Sequence, residues 1–338
     1  MTKKICILPP HLGLGGPASF QAGLIQAFTA RGVAVTHDLH EDEIDAILVF
    51  GGAPQISSLF AAQKRGIRLV QRLNGMNWIH RQKFTGVRHF LKAEYGNLKL
   101  LRIRQRADGV IYQSDFARSW WQREKGAQPG PSVVIHNGVD LALFTPQPSN
   151  LPTDRYRVLM VEAHHGGGYE QGLLSAASLI SELNRSLDKP CELWVAGEVP
   201  LSLRAQSEAI CSKFRWLGVV KHTEIPAIDR SAHLFFSGDL NASCPNAAIE
   251  ALACGLPVIS FDTGAMKELI PETAGRIVPY GANVWKLEKP EVSGLVDAAR
   301  MVFLQWPGFH TGARKQAEEC FDIRLVAERY MDFLFSKS

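Results

Sequence analysis

The chain has 338 residues, of which 46% are hydrophobic and 21% charged, with a formal net charge of +4. That is the profile of a soluble globular protein long enough for two domains with separate cores. It excludes a membrane span, since no apolar run nears the roughly 18 residues a spanning helix needs, and a disulfide scaffold, since six cysteines form no CxxC pair.

The opening, MTKKICILPP, reads as a strand and not as a secretory leader. Reduced thiols in a cytoplasmic protein are therefore expected. After KICIL the segment HLGLGGPASFQAGLIQAF places Gly13, Gly15 and Gly16 between that strand and a helix over 18–31. Glycines let the backbone approach a ligand, and the helix start offers amides and a positive dipole end to an anion. The pattern Gly13-x-Gly15-x-x-Ala18 also fits a dinucleotide fingerprint, with Asp38 near the place of its ribose-binding acid, although Pro17 removes one amide from the cradle.

Strands VAVTHDL, AILVFG, IRLVQRL, GVIYQS and SVVIHNG follow, with helices predicted over 88–107 and 115–124. Strands alternating with helices imply parallel βαβ units. Within this half, residues 81–106 hold eight Lys or Arg against one acid, Glu94, for a local charge of +7, which leaves −3 for the rest of the chain. Such a segment can attract anionic lipid, phosphate groups or nucleic acid, and it can equally be the solvated face of a helix.

A stretch rich in Pro, Asn and Asp, NGVDLALFTPQPSNLPTDRYR, puts a domain boundary near 145–155. The pattern then restarts with RVLMVEA, ELWVAGE, FRWLGVV, HLFFSG, LPVISFD and GRIVPY, and closes on one amphipathic helix over 312–335 carrying Ala317, Phe321, Leu325, Val326 and Tyr330 at helical spacing. Between the first of these strands and its helix lie Gly166, Gly167 and Gly168, a second candidate anion nest, preceded by His164 and His165. In CPNAAIEALACGLPVIS, Asn246 is expected to cap a helix from Ala247 to Cys254 that Gly255 closes. Glu250 is the one charged residue of that helix. It either reaches solvent or serves a ligand, and the carboxyl ends of strands in doubly wound sheets are where ligands bind. The eleven histidines include one adjacent pair and no H-x3-H, so no metal site is expected.

The stretch CPNAAIEALACGLPVISFDTGAMKELI closely resembles the donor-site motif of retaining GT-B glycosyltransferases of family four, often called group 1. GGPASF resembles the first glycine loop of that family and RLNGMNWI its acceptor-side strand end. ADGVIYQSDFARSWW and VIHNGVDLALFTP resemble the approach to the interdomain linker, and ARKQAEECFDIRLVAERYMDFL resembles the final helix. The resemblance implies an α/β protein with two Rossmann-like domains facing a cleft, 1–148 for the acceptor and 149–311 for a nucleotide-sugar donor, with the helix of 312–338 crossing back to the N-terminal domain. It implies transfer of a sugar from a UDP- or GDP-sugar to a hydroxyl with retention. Glu250 matches the second acid of the E-x7-E motif, which accepts hydrogen bonds from the donor's ribose hydroxyls. Gly15 and Gly16 match the loop that approaches the diphosphate. Pro245, Asn246 and Ala247, with Asn241 and Ser243 before them, match the turn that meets sugar or phosphate, and Asn74 occupies a position beside the donor sugar. Gly16, Asn74 and Glu250 are thereby the catalytic candidates.

In that scheme no dedicated protein base acts, because the leaving diphosphate assists deprotonation of the acceptor. No cofactor or metal is implied. The acceptor would be a saccharide, a lipid-linked molecule or a small molecule, not nucleic acid. Arg81, Arg88, Lys92 and Arg102 would serve the acceptor or a peripheral contact with the inner membrane face.

The sequence also departs from the motif. The first acid of E-x7-E is Ala242, with Asp239 upstream; Gln171-Gly172 stands where relatives have Lys-Gly; and no Arg lies between Val161 and Gly172. The amides of Gly166–Gly168 would then take over part of the phosphate binding. Two other readings stay open: a non-catalytic sugar-nucleotide binder of the same fold, and an NAD-dependent oxidoreductase built on Gly13, Gly15, Ala18 and Asp38.

Overall fold

The computed structural model describes residues 2–10, 15–53 and 55–336. By its internal contacts the chain forms two compact units, Met1–Gly138 together with Ile323–Ser338, and Val139–Asp322. The first unit runs β1 (Lys4–Leu8), α1 (Gly16–Ala30), β2 (Ala34–Thr36), β3 (Ala46–Phe50), α2 (Ile56–Lys64), β4 (Arg68–Leu73), α3 (Ile79–Gln82), α4 (Val87–Arg104), β5 (Gly109–Tyr112), α5 (Asp115–Lys125) and β6 (Ser132–Val134). The second runs β7 (Tyr156–His164), α6 (Glu170–Ser186), β8 (Cys191–Glu198), α7 (Leu201–Ile210), β9 (Phe214–Gly218), a 3-10 turn (His222–Glu224), α8 (Ile225–Asp229), β10 (Leu234–Ser237), α9 (Asn246–Ala253), β11 (Val258–Phe261), α10 (Met266–Leu269), β12 (Gly275–Val278), a 3-10 turn (Val284–Lys286), α11 (Ser293–Leu304) and α12 (Trp306–Cys320). The last helix, α13 (Ile323–Phe335), belongs to the first unit.

Each unit has one six-stranded sheet, ordered β2-β1-β3-β4-β5-β6 in the first and β12-β11-β10-β7-β8-β9 in the second. Every strand pair is parallel. Parallel sheets need both faces covered, so their strands read as unbroken apolar runs. In β1, alternate side chains serve opposite faces. Ile5 and Ile7 join Phe20, Leu24 and Phe28 of α1 and Val326, Tyr330 and Leu334 of α13 on one side. Cys6 and Leu8 join Leu59, Ile103, Tyr112 and Trp121 on the other.

The return of α13 is tied down by a buried cation. Arg72, 4% exposed at the end of β4, donates from Nε to the Tyr330 hydroxyl at 3.0 Å and from Nη2 to Asn137 Oδ1. Its guanidinium lies 4.6 and 4.9 Å from the ring centroids of Phe20 and Phe50.

The boundaries differ from the sequence expectation at both ends of the second unit, which starts at Val139, not at 149, and extends through Asp322, not 311. Residues 139–148 are anchored to it: Phe144 is 1% exposed, its carbonyl accepts from Arg314, and the Thr145 carbonyl accepts from Arg230. The single helix expected over 312–335 is two helices. The chain breaks at Phe321 and Asp322, where the Val139 amide donates to the Phe321 carbonyl at 2.7 Å, so that α12 ends in one unit and α13 begins in the other. Leu325, expected on the apolar stripe, is 40% exposed, whereas Ala317, Phe321, Val326 and Tyr330 are buried.

Candidate functional site

The second sheet has the strand order of a dinucleotide-binding half doubled on itself, with its first strand, β7, at the centre. From β7 the chain moves outward through β8 and β9, then returns to the other side of β7 as β10. The loops after β7 and β10 therefore diverge, and the crevice between them is the switch point where open α/β sheets bind ligands. The backbones come together here. A Cβ on Gly172, in the first turn of α6, would run into the Gly238 carbonyl, and one on Gly238 would lie 2.6 Å from Met160 Cε and 3.0 Å from Gly172 Cα. Gly172 is thus required by packing.

The β10–α9 loop carries Asn241, Ser243, Pro245, Asn246 and Ala247. Asn241 adopts a left-handed φ of 56°, is 5% exposed, and its Nδ2 has no hydrogen-bond partner. Ser243, Pro245, Asn246 and Ala247 are half-buried. Ala242, at the place of the expected first acid, is 6% exposed, and its carbonyl accepts from the Ala265 amide at 2.8 Å. Helix α9 begins at Asn246 with Pro245 as its N-cap and no side-chain cap, one residue earlier than expected. Its C-terminus closes as anticipated: Gly255, at φ 71°, donates to the Leu252 carbonyl, and Leu256 donates to Ala251.

Glu250 does not reach freely into solvent. It is 8% exposed, and its Oε1 lies 2.9 Å from Nε2 of His222, which comes from the turn before α8. His222 is 44% exposed along its side chain and packs its ring 5.3 Å from that of Phe144. The hydrogen bond to Glu250 raises the His222 pKa against the effect of partial burial. Asp229, on α8, is 1% exposed, and burial first, then the charge of Glu250, holds it well above its ordinary value.

The loop after β7 differs in detail from a free anion nest. Gly167 has φ 73° with open space where a Cβ would be, and Gly168 has φ 110°. The Gly168 amide, however, donates to Glu170 Oε1 at 3.2 Å, so a carboxylate of this chain already holds one of the three amides. A Cβ on Gly166 would lie 2.8 Å from His164 Nε2 and 3.0 Å from Pro200 Cγ, so a side chain there would have to displace the exposed His164 ring. His165 turns inward to the Ala196 carbonyl at 3.0 Å, and burial lowers its pKa, so it adds no cation to the loop. His164 is exposed, 3.6 Å from Glu198.

Two acids whose pairing the sequence does not reveal face the same switch point. Glu162 ends the regular part of β7, and Asp239 follows β10. Each keeps part of its surface. Burial pushes Asp239 up to about 7; burial, then the charge of Asp239, pushes Glu162 well above its ordinary value. Burial and both acids also raise the Tyr169 phenol at the foot of α6. The environment of the pair therefore disfavours ionising both acids together. The signal available in the sequence was two acids ending strands that restart the pattern; what makes them neighbours is the strand order.

In the first unit the switch point lies between β1 and β3. Gly15 sits there with φ 98° and ψ −170°, a conformation essentially reserved for glycine, and its carbonyl accepts from the Ala18 and Ser19 amides at the start of α1. Gly16 opens that helix. Gly13 lies outside the described residues. Asn74 is exposed after β4, on the same sheet edge, and its carbonyl accepts from Trp121 Nε1 at 2.7 Å. Asp38 closes a local turn by accepting from the His40 amide. Of the basic candidates, Arg88, Lys92 and Arg102 are exposed on α4, whereas Arg81 is held by both oxygens of Glu94 at 2.6 and 2.9 Å. Arg104, counted in the basic segment, is 1% exposed and serves the interior by donating to Tyr112 and Gly126. Among the described residues no three His, Cys, Asp or Glu side chains gather as a metal cluster.

Two parallel six-stranded α/β units with these carboxyl-edge loops define a GT-B glycosyltransferase fold, and solved structures share it over nearly their whole length. Sucrose-phosphate synthase from Thermosynechococcus elongatus superposes with a TM-score of 0.75 at 16% identity, covering 98% of each chain. WaaG, a glycosyltransferase involved in lipopolysaccharide biosynthesis, gives 0.69 at 15% identity over 99% of this chain and 100% of its own. Anabaena HepE in complex with UDP and glucose gives 0.68 at 15% identity, covering 98% and 99%. Residues 13–143 match the family described as Glycosyltransferase Family 4, and residues 164–288 match Glycosyl transferases group 1. The chain belongs to the group 1, family 4 glycosyltransferases. Among curated proteins it is 23% identical over 188 residues to a phosphatidylinositol N-acetylglucosaminyltransferase subunit of Arabidopsis thaliana, and 27% identical over 176 residues to the corresponding protein of Homo sapiens. These matches cover 53% and 51% of this chain but only 41% and 33% of those proteins.

Proposed function

We propose that the protein transfers a sugar from a nucleoside-diphosphate sugar to a hydroxyl acceptor with retention of configuration, and that its second unit holds the donor nucleotide. One observation carries the reading: Glu250, the only charged residue of α9, is turned inward beside the switch point and engaged through a single hydrogen bond to an exposed histidine. A carboxylate so placed has lone pairs left for two vicinal hydroxyls, as a ribose offers. Asn241, Ser243 and the turn Pro245–Ala247 would line the sugar and phosphate side. Gly15, Gly16 and Asn74 stand as the first unit's proposed contribution to the donor.

The diphosphate would meet few cations in the second unit. Its partners there would be the amides of the Gly166–Gly168 loop, after Glu170 releases Gly168. Bond breaking would then rest on positioning and on hydrogen-bond stabilisation of the leaving phosphate, which in turn takes the acceptor proton. The scheme calls on no bound cofactor. The acceptor class we favour is a lipid-linked hydroxyl, since the curated relatives act, by name, on phosphatidylinositol.

Calorimetric titration with UDP, GDP, ADP and NADH, on the native chain and on Glu250→Ala, tests the donor half. One nucleoside diphosphate should bind and the variant should lose it. NADH binding alone, or a variant that binds as well as the parent, would overturn it. The anomeric coupling of the product, read by NMR against that of the donor, tests retention.

A second reading is favoured by Ala242 and by the acids Glu162 and Asp239 at the second unit's switch point: a sugar-nucleotide binder without turnover. Binding with neither transfer nor donor hydrolysis across an acceptor panel would support it.

A further inference from the structure

The first unit carries a surface that packing does not explain. In α4, the residues on one side, Ala93, Asn97 and Arg104, are buried against the unit. On the opposite side, at spacings of three and four, stand Val87, Leu91, Tyr95 and Leu98, which are 67%, 63%, 57% and 42% exposed. Phe84, just before the helix, is 86% exposed, and Phe90 is 42% exposed. Every residue from Val87 to Lys92 is exposed, and in this stretch Phe90 meets the ring of His80 on α3, edge-on at 5.1 Å. Isolated exposed apolar residues are ordinary; six within fifteen positions form a patch.

The charges around this stripe have one sign. Arg88, Lys92 and Lys99 flank it, and Arg102 continues its line; Lys99 Nζ lies 4.6 Å from the Tyr95 ring centroid. The one acid of the segment, Glu94, has its charge already met by Arg81 and by His80, which lies 2.7 Å from Oε1. A bundle partner for such a stripe would have to bury it without leaving the cations uncompensated. An anionic bilayer meets both demands, since acyl chains receive the apolar side chains and headgroups receive the cations.

We infer that the outer face of α4, with Phe84, seats this protein on an anionic lipid surface, α4 lying in the plane of the interface. The apolar stripe from Val87 to Leu98 is about 16 Å long, enough for three turns to lie along the headgroup boundary. The exposed cations Arg88, Lys92 and Arg102, on a segment more basic than the rest of the chain, would steer that face toward the membrane. The inference deepens the proposed function and rests on it in one respect, because the surface is where a lipid-linked acceptor would be met; the adsorption itself does not require transferase activity.

The test is co-sedimentation of the whole protein with phosphatidylcholine vesicles, with and without phosphatidylglycerol. Binding should require phosphatidylglycerol and weaken as salt is added. Phe84→Ser with Leu91→Ser, or Arg88→Glu with Lys92→Glu, should each reduce it by about tenfold or more. The serine variant should keep the parent's circular-dichroism melting curve and its affinity for the nucleoside diphosphate. No binding to the anionic vesicles overturns the inference, as do serine variants that bind like the parent. It also fails if the patch instead holds two copies together, seen as a dimer in size-exclusion chromatography that the serine changes dissolve. Nucleotide binding without vesicle binding would sink this inference and leave the transferase reading standing; vesicle binding without nucleotide binding would do the opposite.

Discussion

His222 Nε2 lies 2.9 Å from Glu250 Oε1, which makes the acid of α9 answerable to a partly exposed imidazole. Glu250 raises the His222 pKa. The imidazolium–carboxylate contact is therefore complete below the ordinary histidine value of about 6.5 and is lost as pH rises through the raised one. If Glu250 receives ribose hydroxyls, nucleotide affinity should weaken as pH falls through that window, because the imidazolium then competes for the carboxylate. His222→Ala should flatten the pH profile. Calorimetry across the range checks both, and a parent profile as flat as the variant's would refute the competition.

Removing the carboxylate is the more direct change. Hydrogen bonds to a charged group contribute about 1.5–3 kcal/mol, so Glu250→Ala should lower nucleoside-diphosphate affinity about 10- to 100-fold. Glu250→Gln, which keeps one acceptor oxygen, should fall between the two. Direct titration separates the three proteins.

Burial pushes the Asp239 carboxyl up to about 7. The folded chain retains a proton there that the unfolded chain releases near pH 4. Stability should therefore decline as pH rises from that value through about 7. Asp239→Asn should melt higher than the parent at about pH 8 and lose that advantage near pH 5. Differential scanning fluorimetry at the two pH values gives the sign.

Gly172 meets the Gly238 carbonyl with no space for a methyl group. Gly172→Ala should cost about 1–3 kcal/mol through overpacking, despite the better helix propensity of alanine. Gly167, with open space around it, needs glycine for its φ alone. A thermal midpoint unchanged in Gly172→Ala would show that α6 can slide away from β10.

Arg72 holds α13 through Tyr330 and packs against two phenylalanines. In Arg72→Met the aliphatic volume remains, but the Tyr330 hydroxyl and Asn137 lose their donor, at about 1–3 kcal/mol for each buried group. Limited proteolysis near residue 321 should then speed up, reporting release of the last helix.

The apolar strands and the glycines after them were legible because parallel strands buried on both faces leave unbroken runs such as KICIL and LPVISFD, and turns need φ values that few residues adopt. The cap at Gly255 and the lone acid of α9 were readable for the same local reason. The break at Phe321–Asp322 was not, since helical periodicity continues across it while the chain there pairs with Val139, far away in sequence.

What the sequence by itself determined, then, was which segments are strands and helices and which loops carry glycine, matters settled within a few neighbouring residues. Strand order was left to the tertiary structure, and strand order brings Glu162 to Asp239 and parts the loops after β7 and β10 into a crevice. Burial was decided there too: it distinguishes Arg104, inside the fold, from Arg102, outside it, two residues apart on one helix. These outcomes depend on contacts between residues distant in the chain, and a local pattern carries no record of them.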